Sequence, residues 1–530
     1  MKKNEKDIGI IATSIFSSLL GGKFIGTAIT LLVYVIVARF LGPANYGVYT
    51  IAFGFSNLVV GAFGAFGVGA YFNAYLAKHV YNRERDNVDT VISNGYLILT
   101  PIAIILTIIS VAISGYVATN TLADHADAIY LIVASFSIFF ATLKSGSELA
   151  LVGFGRGRLA AVSLVSTAVV QLVTIIALIH LGYGIMGAVA GMLAGFFVGF
   201  WISLYLVLRM WKMHGSGRFV WPAKAKLKAA LRFAAPIGVN NFLNTGIINF
   251  STLFIGFYLA TTFVTGDTGK TLLGNYGLAI NGFALIGIFY GTMTNVLIQT
   301  FSTARTAHKE RAPYGTILRY SLIITLPLLV YVGVLAAPVV HILFSSKYTV
   351  APLYFSLIVL GLFINIIGIY LVSLLAAGDH TIAIMKYAVI SGAAQLASLF
   401  VLVHYYGIIG GIIALFFIGS VVDDYLLIRG ASRLMKMKFE YKKLIALFAS
   451  NAILALPIAA ALALHSGILQ LVVGFVILVL VYPILMAVSR SINADDLDKI
   501  QKATSKEYGI NTLARYLTGY ARIWVNVLGG

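Results

Sequence analysis

Fourteen apolar runs follow one another through this chain, near residues 17–39, 46–77, 91–115, 128–151, 160–181, 185–208, 233–263, 273–303, 316–343, 352–376, 384–404, 408–428, 444–465 and 467–488. A run of about 20 apolar residues crosses a hydrocarbon core about 30 Å thick as one α-helix. The longer runs tilt or extend beyond the bilayer. Two of the breaks, around Gly182–Gly184 and at Ser466–Gly467, are so short that each flanking pair reads almost as a single helix.

Charge decides whether those pairs are one span or two. With the N-terminus inside, the two termini and the even-numbered gaps, counted with the adjoining span ends, hold 32 of the 37 Lys and Arg residues, while the outer gaps and span ends hold only Arg39, Lys270 and Lys347; Lys23 and Lys144 fall within spans. Dropping one span would reverse the sign of every later gap, so this bias supports fourteen spans with both termini cytoplasmic. The chain carries a net charge of +19, yet its basic residues are spread through short gaps between apolar runs, which argues against a nucleic-acid partner. Hydrophobic residues make up 60% and charged residues 10%, well under the roughly 25% usual in soluble domains. Cysteine is absent, so thiolate metal and redox chemistry is excluded.

A repeat then orders the spans. Gln171-Leu172, His180, Tyr183-Gly184-Ile185-Met186-Gly187 and Tyr205-Leu206-Val207-Leu208-Arg209 recur 224 residues on as Gln395-Leu396, His404, Tyr406-Gly407-Ile408-Ile409-Gly410 and Tyr425-Leu426-Leu427-Ile428-Arg429. Asn45-Tyr46-Gly47 is echoed by Asn275-Tyr276-Gly277, 230 residues on. The histidines fall at outer ends of spans and the arginines at inner ends, so corresponding spans are six apart and the halves share one orientation. Parallel repeats related by an axis along the membrane normal are one plan of transporter construction. The reading is an all-α polytopic membrane protein. Residues 1–215 form an N-lobe of spans 1–6, 216–440 a C-lobe of spans 7–12, 441–490 an appendage of spans 13 and 14, and 491–530 a cytoplasmic tail. In that tail Leu513, Leu517, Tyr520 and Trp524 recur at helical spacing, which fits an interfacial helix. No small-residue cleavage site follows the charged start, so the first run reads as a retained span.

Several segments carry a family resemblance. Ala38-Arg39-Phe40-Leu41-Gly42-Pro43-Ala44-Asn45-Tyr46-Gly47 resembles the signature after the first span of polysaccharide and oligosaccharide-lipid flippases, within the multidrug/oligosaccharidyl-lipid/polysaccharide exporter superfamily. Gly153-Phe154-Gly155-Arg156-Gly157-Arg158, Leu231-Arg232-Phe233-Ala234-Ala235-Pro236-Ile237 and Ala377-Gly378-Asp379 agree with it. The resemblance covers most of residues 10–430 and implies two six-helix lobes, a cationic cavity and a lipid-linked glycan as substrate; no motif names the glycan. Read physically, Gly42-Pro43 stops a helix, Asn45 caps the next, and Tyr46 and Tyr49 fit an interfacial aromatic belt.

Charges inside spans mark candidate sites, because each costs roughly 2.5–3.5 kcal/mol on insertion scales unless paired or hydrated. Lys23 lies one or two turns into span 1, where it either snorkels to inner headgroups or lines a cavity. Lys144 is deeper, with Glu148 one turn away on the same face as an ion-pair partner or coupling carboxylate. Asp423 and Asp424 lie near the inner end of span 12, within reach of Arg429 or Arg433. Span 7 holds Asn240, Asn241, Asn244, Thr245 and Asn249; Asn240, Asn241 and Asn244 are candidate substrate ligands, since amides bond both sugar hydroxyls and phosphate oxygens. Interhelical bonding is the alternative use. Gly54, Gly61, Gly64, Gly67 and Gly69 give span 2 a thin, close-packing surface.

Catalysis finds little support. The longest gap, about 25 residues near 208–232, is short for a donor-binding domain, and neither Asp423-Asp424 nor Asp495-Asp496 stands with further ligands at metal spacing. No nucleotide-binding loop of the GxxxxGK[ST] type occurs. No cofactor or metal is expected. The reading is therefore a flippase of the cytoplasmic membrane. The resemblance implies that it moves a polyprenyl-(pyro)phosphate-linked glycan, expected to proceed by alternating access, in contact with membrane lipids and with other polysaccharide-assembly proteins as further expected partners. An ion-coupled extruder of small molecules is the alternative in the same superfamily, and a polytopic polymerase or ligase the alternative outside it.

Overall fold

A computed structural model describes residues 2–61, 67–221, 224–262, 266–307, 314–378, 380–437 and 439–492, together with 497, 519–520, 522–524 and 527. Within those stretches, side chains are described from Phe24 onward, apart from Ala377 and parts of 236–245 and 284–307. Most of the tail, including Leu513 and Leu517, and the Asp495-Asp496 pair lie outside the described residues.

Every long element among the described residues is a helix. They are α1 (Lys2–Val59), α2 (Val68–Tyr81), α3 (Arg85–Leu122), α4 (Ala128–Gly153), α5 (Gly157–His180), α6 (Gly184–His214), α7 (Lys224–Asn241), α8 (Ile247–Thr261) and α9 (Asp267–Ala307). After them come α10 (Tyr314–Val334), α11 (Ala336–Leu343), α12 (Ala351–Ala377), α13 (Thr381–Ile413), α14 (Gly419–Leu434), α15 (Tyr441–Ala460) and α16 (Gly467–Val488). Ten helices among the described residues are long and apolar enough to cross a membrane, one being a 54-residue stretch, Thr381–Leu434. The protein is a multi-pass membrane protein.

Glycine sets the breaks. Gly42 (φ 72°, ψ 174°) kinks α1, and Pro43 begins the continuing helix, where a missing amide donor costs nothing. Asn45 therefore sits inside that helix rather than at its cap. Gly407 (φ 55°, ψ −132°) kinks α13 within the second copy of the repeat, as Gly182 and Gly184 break the first. The glycine-rich span 2 is not one helix: α1 ends at Val59, and Gly67 stands at φ 71° before α2. A Cβ on Gly67 would lie 2.0 Å from the Ala234 carbonyl oxygen, so close packing is indeed what that glycine permits.

The chain divides into two compact units. The first comprises Met1–Ile288, Lys347–Val350 and Ala388–Leu415. Its core packs Phe72, Leu76, Ile92, Leu99, Leu151 and Val207, contributed by α2, α3, α4 and α6. The repeat makes the same contacts twice in this unit. Gln171 Nε2 donates to the Met192 carbonyl and Gln395 Nε2 to the Leu415 carbonyl, each at 3.5 Å. Gly187 packs on Leu178 and Ile179, and Gly410 on Leu402 and Val403.

The echoed Asn-Tyr-Gly segments meet one another here. A Cβ on Gly47 would lie 2.0 Å from the Lys270 carbonyl oxygen, one on Gly274 would lie 1.9 Å from that of Pro43, and one on Gly277 2.1 Å from Thr50 Oγ1. The second half of α1 and the start of α9 thus touch backbone to backbone. Tyr46, Tyr49, Tyr276 and Tyr348 are all buried around this crossing. Asn281 Nδ2 donates to Tyr46 Oη at 3.0 Å, Tyr348 Oη donates to the Ala38 carbonyl at 2.8 Å, and Val350 N donates to Asn275 Oδ1 at 3.1 Å. Tyr46 and Tyr49 are therefore core residues and not members of an interfacial belt; α9 covers the face the sequence leaves open to lipid. Beside the crossing, Lys270 Nζ lies 2.7 Å from Asp127 Oδ2 and 3.3 Å from Asp124 Oδ2. The Ala126 amide and Lys270 hold the Asp124 carboxyl below its ordinary range. Burial opposes charge on Lys270, but the two carboxylates outweigh it and hold its ammonium above its ordinary range.

A buried carboxylate fastens the segment after α6. Asp89, on the first turns of α3, accepts from Trp211 Nε1, from Ser216 N at 3.0 Å and from Ser216 Oγ, while Ser93 one turn on accepts from Val220 N at 3.0 Å. Asp89→Ala leaves those donors without an acceptor, and hydrogen bonds to a charged group are worth about 1.5–3 kcal/mol. The expected result is a lower melting temperature in detergent and faster tryptic cleavage at Arg218; wild-type values for both would show that the segment is held by other contacts.

The second unit comprises Phe289–Ser346, Ala351–Tyr387 and Phe416–Gly530. Val330, Leu335, Leu454, Ile458 and Leu478 form a core among α10, α15 and α16. Tyr331 Oη donates to the Leu471 carbonyl and Tyr482 Oη to the Ile323 carbonyl, which ties α16 to α10. Tyr520 Oη reaches the Leu480 carbonyl at 3.2 Å.

Candidate functional site

Lys144 stands about 24 Å along α4 from Ala128 at 1.5 Å per residue, and about 14 Å from the other end. Its side chain is only 9% exposed, and Nζ lies 2.8 Å from Glu148 Oε1 one turn further on. Ser163 Oγ of α5 donates to the same Glu148 oxygen at 2.9 Å, and Thr167 Oγ1 donates to the Ser163 carbonyl at 2.8 Å. Gly199 of α6 makes room for the lysine stem: a Cβ there would lie 2.9 Å from Lys144 Cε and 2.0 Å from Thr167 Oγ1. The cation is held by one carboxylate and packed by methylene contacts, the arrangement expected of a lysine kept deep in an apolar setting.

Lys144 opens onto a cavity of about 210 Å³ in the first unit. Thr27, Thr30, Tyr34 and Tyr49 of α1 line one side, Thr167 and Gln171 of α5 another, and Met192 and Phe196 of α6 complete it. Thr30 Oγ1 is turned onto the Gly26 carbonyl at 2.9 Å, and Gln171 onto the Met192 carbonyl at 3.5 Å. One ammonium, a glutamine amide and three threonine hydroxyls thus share a mostly apolar chamber. Such a set is chemically suited to an anionic group carrying hydroxyls, since the ammonium has three donors and one carboxylate partner among the described residues.

Of the residues singled out in the sequence, Lys144 and Glu148 are brought together. Lys23 falls on α1, with its side chain outside the described residues. Asn240 and Asn241 end α7, and Asn244 lies in the π-helical turn Phe242–Gly246; the side chains of all three are outside the described residues. π turns are rare and, where they occur, frequently lie at functional sites. Asp423 and Asp424 lie on α14 in the second unit. Asp424 Oδ1 receives Asn365 Nδ2 at 3.5 Å and abuts Gly368, while Arg429 Nη1 donates to Tyr425 Oη at 3.3 Å. Thr27, Thr30, Tyr34 and Thr167 carry no sequence signal that separates them from other helix residues. Gln171 does carry one, as the leading residue of the repeat.

These features define an all-helical membrane fold, and solved structures share it. The fold matches "Lipid II flippase MurJ, inward closed conformation" with a TM-score of 0.70 at 17% identity, covering 88% of this chain and 98% of that one. It matches an inward-facing multidrug resistance MATE family transporter of the MOP superfamily with a TM-score of 0.60 at 16% identity, over 78% and 95% of the two chains. A MOP superfamily transporter from Pyrococcus furiosus, whose binding pocket is described as reversed in polarity, matches with a TM-score of 0.53 at 17% identity, over 80% and 96%. No curated protein matches. Residues 13–305, more than half of the 530, match the family described as polysaccharide biosynthesis protein. The chain belongs to that family.

Proposed function

We propose that this protein is a flippase that carries a lipid-linked oligosaccharide or polysaccharide precursor across the cytoplasmic membrane. Membership of the polysaccharide biosynthesis family supports the substrate class, and the fold shared with a lipid II flippase supports the transport step. The observation that carries the reading is the buried Lys144 facing a chamber of hydroxyl and amide groups. Substrate phosphate exchanges with Glu148 for the ammonium, sugar hydroxyls engage Gln171 and the threonines, and the polyprenyl tail stays in lipid. Lobes 1–215 and 216–440 alternate access, with Lys23 and the amides Asn240, Asn241 and Asn244 as further ligands. Spans 13 and 14 shape a groove for the tail, and both termini lie inside. Other polysaccharide-assembly proteins supply and consume the cargo.

The MATE likeness gives the extruder reading its support. Against it, the deep carboxylate Glu148 is already held by Lys144 and Ser163, so the chamber offers a cation where a cationic drug needs an anion. Purified protein in vesicles is expected to move a fluorescent polyprenyl-diphosphate-linked oligosaccharide between leaflets and to leave ethidium unmoved. Ethidium transport without glycan movement would establish the extruder, and glycan polymerisation by the purified protein alone would establish an enzyme.

A further inference from the structure

A second pocket lies in the first unit, between one face of α2, the start of α3 and the start of α7, on the side that the charge bias places in the cytoplasm. Its volume is about 170 Å³, and nothing in the proposed transport path uses it. Tyr71 and Tyr75 form an aromatic wall, with ring centroids 4.8 Å apart. Thr90 and Asn94 lie on one face of α3, one turn apart, and Lys226 stands at the exposed rim. Asn94 is 1% exposed; its Nδ2 reaches Tyr71 Oη at a long 3.4 Å, and its Oδ1 has no hydrogen-bond partner among the described residues. A buried acceptor left without a donor is costly, and native structures rarely tolerate one without a use. His79 closes the pocket near the rim, its Nδ1 fixed 2.6 Å from Glu84 Oε2. Amide hydrogen bonds from Asn87 and Asn82, together with that from His79, hold the Glu84 carboxyl below its ordinary range.

An aromatic wall, a hydroxyl, an amide with a spare acceptor and a rim cation together suit a sugar that carries phosphate. We propose that this pocket binds a phosphosugar at the cytoplasmic face, its ring against Tyr71 and Tyr75, a hydroxyl donating to Asn94 Oδ1, and its phosphate at Lys226. It is a loading site separate from the Lys144 chamber, and it rests on the transport reading for its place in the cycle. Two sources share this chemistry, a free sugar phosphate and the headgroup of a lipid-linked glycan.

Full-length protein in nanodiscs, titrated with glucose 1-phosphate and separately with a short-chain polyprenyl-phosphate-linked glucose, tests it. Saturation to at least one ligand is expected, with Lys226→Gln weakening it roughly two- to fivefold, the loss of one solvent-exposed charge contact. Asn94→Leu is expected to abolish binding without lowering the melting temperature, because an amide with an orphan acceptor is replaced by an apolar group of similar shape. A structural asparagine would instead lower it. Binding of the soluble ligand as well as the lipid-linked one indicates a free sugar phosphate as the source, and binding of the lipid-linked one alone indicates the headgroup. No binding of either, or binding unchanged in Lys226→Gln, overturns the inference and leaves the transport reading untouched. Binding by a protein that flips no glycan lipid overturns the transport reading alone.

Discussion

Lys144→Met combined with Glu148→Gln is expected to leave a folded protein that transports lipid-linked glycan at least tenfold more slowly than wild type. The pair separates structure from function because both charges leave together. Removing Lys144 alone strands Glu148 with only Ser163 Oγ as a donor, and breaking a buried pair one-sidedly costs up to about 3–5 kcal/mol. Glu148 is 18% exposed, so its penalty falls at or below the lower end. A loss of transport in Lys144→Met therefore says little by itself. The double variant replaces both charges with uncharged groups of similar volume, which is often neutral for stability. Methionine keeps the unbranched stem that packs over Gly199. What it lacks is the ammonium, whose charge-assisted bond to phosphate is worth about 1.5–3 kcal/mol, or roughly 10- to 150-fold in rate or affinity. Melting temperature near wild type with transport down tenfold is the predicted combination. Full transport by the double variant would reduce the pair to a structural ion pair and remove the cationic chamber from the mechanism.

The separate levels of this protein differ in how far they can be read from the chain. Run length and charge bias report on single helices and single gaps, so the helical membrane architecture is visible residue by residue. Gly42-Pro43 is a local stop, and the structure kinks there. The repeat is legible because its residues work locally too: Gln171 and Gln395 each bond a carbonyl about twenty residues on, and Gly187 and Gly410 each pack on the preceding helix of their own hairpin. Tyr46 and Tyr49 mislead because an amphipathic ring after a helix break fits an interface as well as a core. What buries them arrives from α9, more than 220 residues later. The chamber is hidden for a related reason. Thr30 bonds the carbonyl four residues back, as threonines in any membrane helix do, and only the assembly of α1, α4, α5 and α6 turns it toward Lys144.

The echoed Asn-Tyr-Gly segments carry the other large expected effect. Gly274→Ala places a methyl group 1.9 Å from the Pro43 carbonyl oxygen, a backbone atom that cannot swing away. Real Cβ atoms do not approach so closely, so the second half of α1 and the start of α9 must part. Overpacking of this kind costs about 1–3 kcal/mol, and all of it falls on the arrangement in which the two helices touch. Under the proposed alternating access, that penalty shifts the populations of the two arrangements by roughly 5- to 150-fold toward the parted one. Gly47→Ala meets the Lys270 carbonyl oxygen at 2.0 Å from the opposite side and predicts the same shift. Because the chain has no cysteine, a single Thr50→Cys reports on the seam directly. Thr50 is buried against Gly277, so maleimide labelling from outside is slow while the helices touch. Labelling is expected to rise at least fivefold in Gly274→Ala and in Gly47→Ala, with glycan transport reduced in both. Gly266→Ala, at the start of α9 with open space around its Cβ position, controls for strain alone, since its φ of 75° is costly for alanine. Labelling that rises equally in the control, or not at all in the two seam variants, would mean that the glycine contact does not set the closure of α1 on α9. Labelling that rises in the seam variants only would make the glycine contact of the Asn-Tyr-Gly echo the element that sets the closure of α1 on α9.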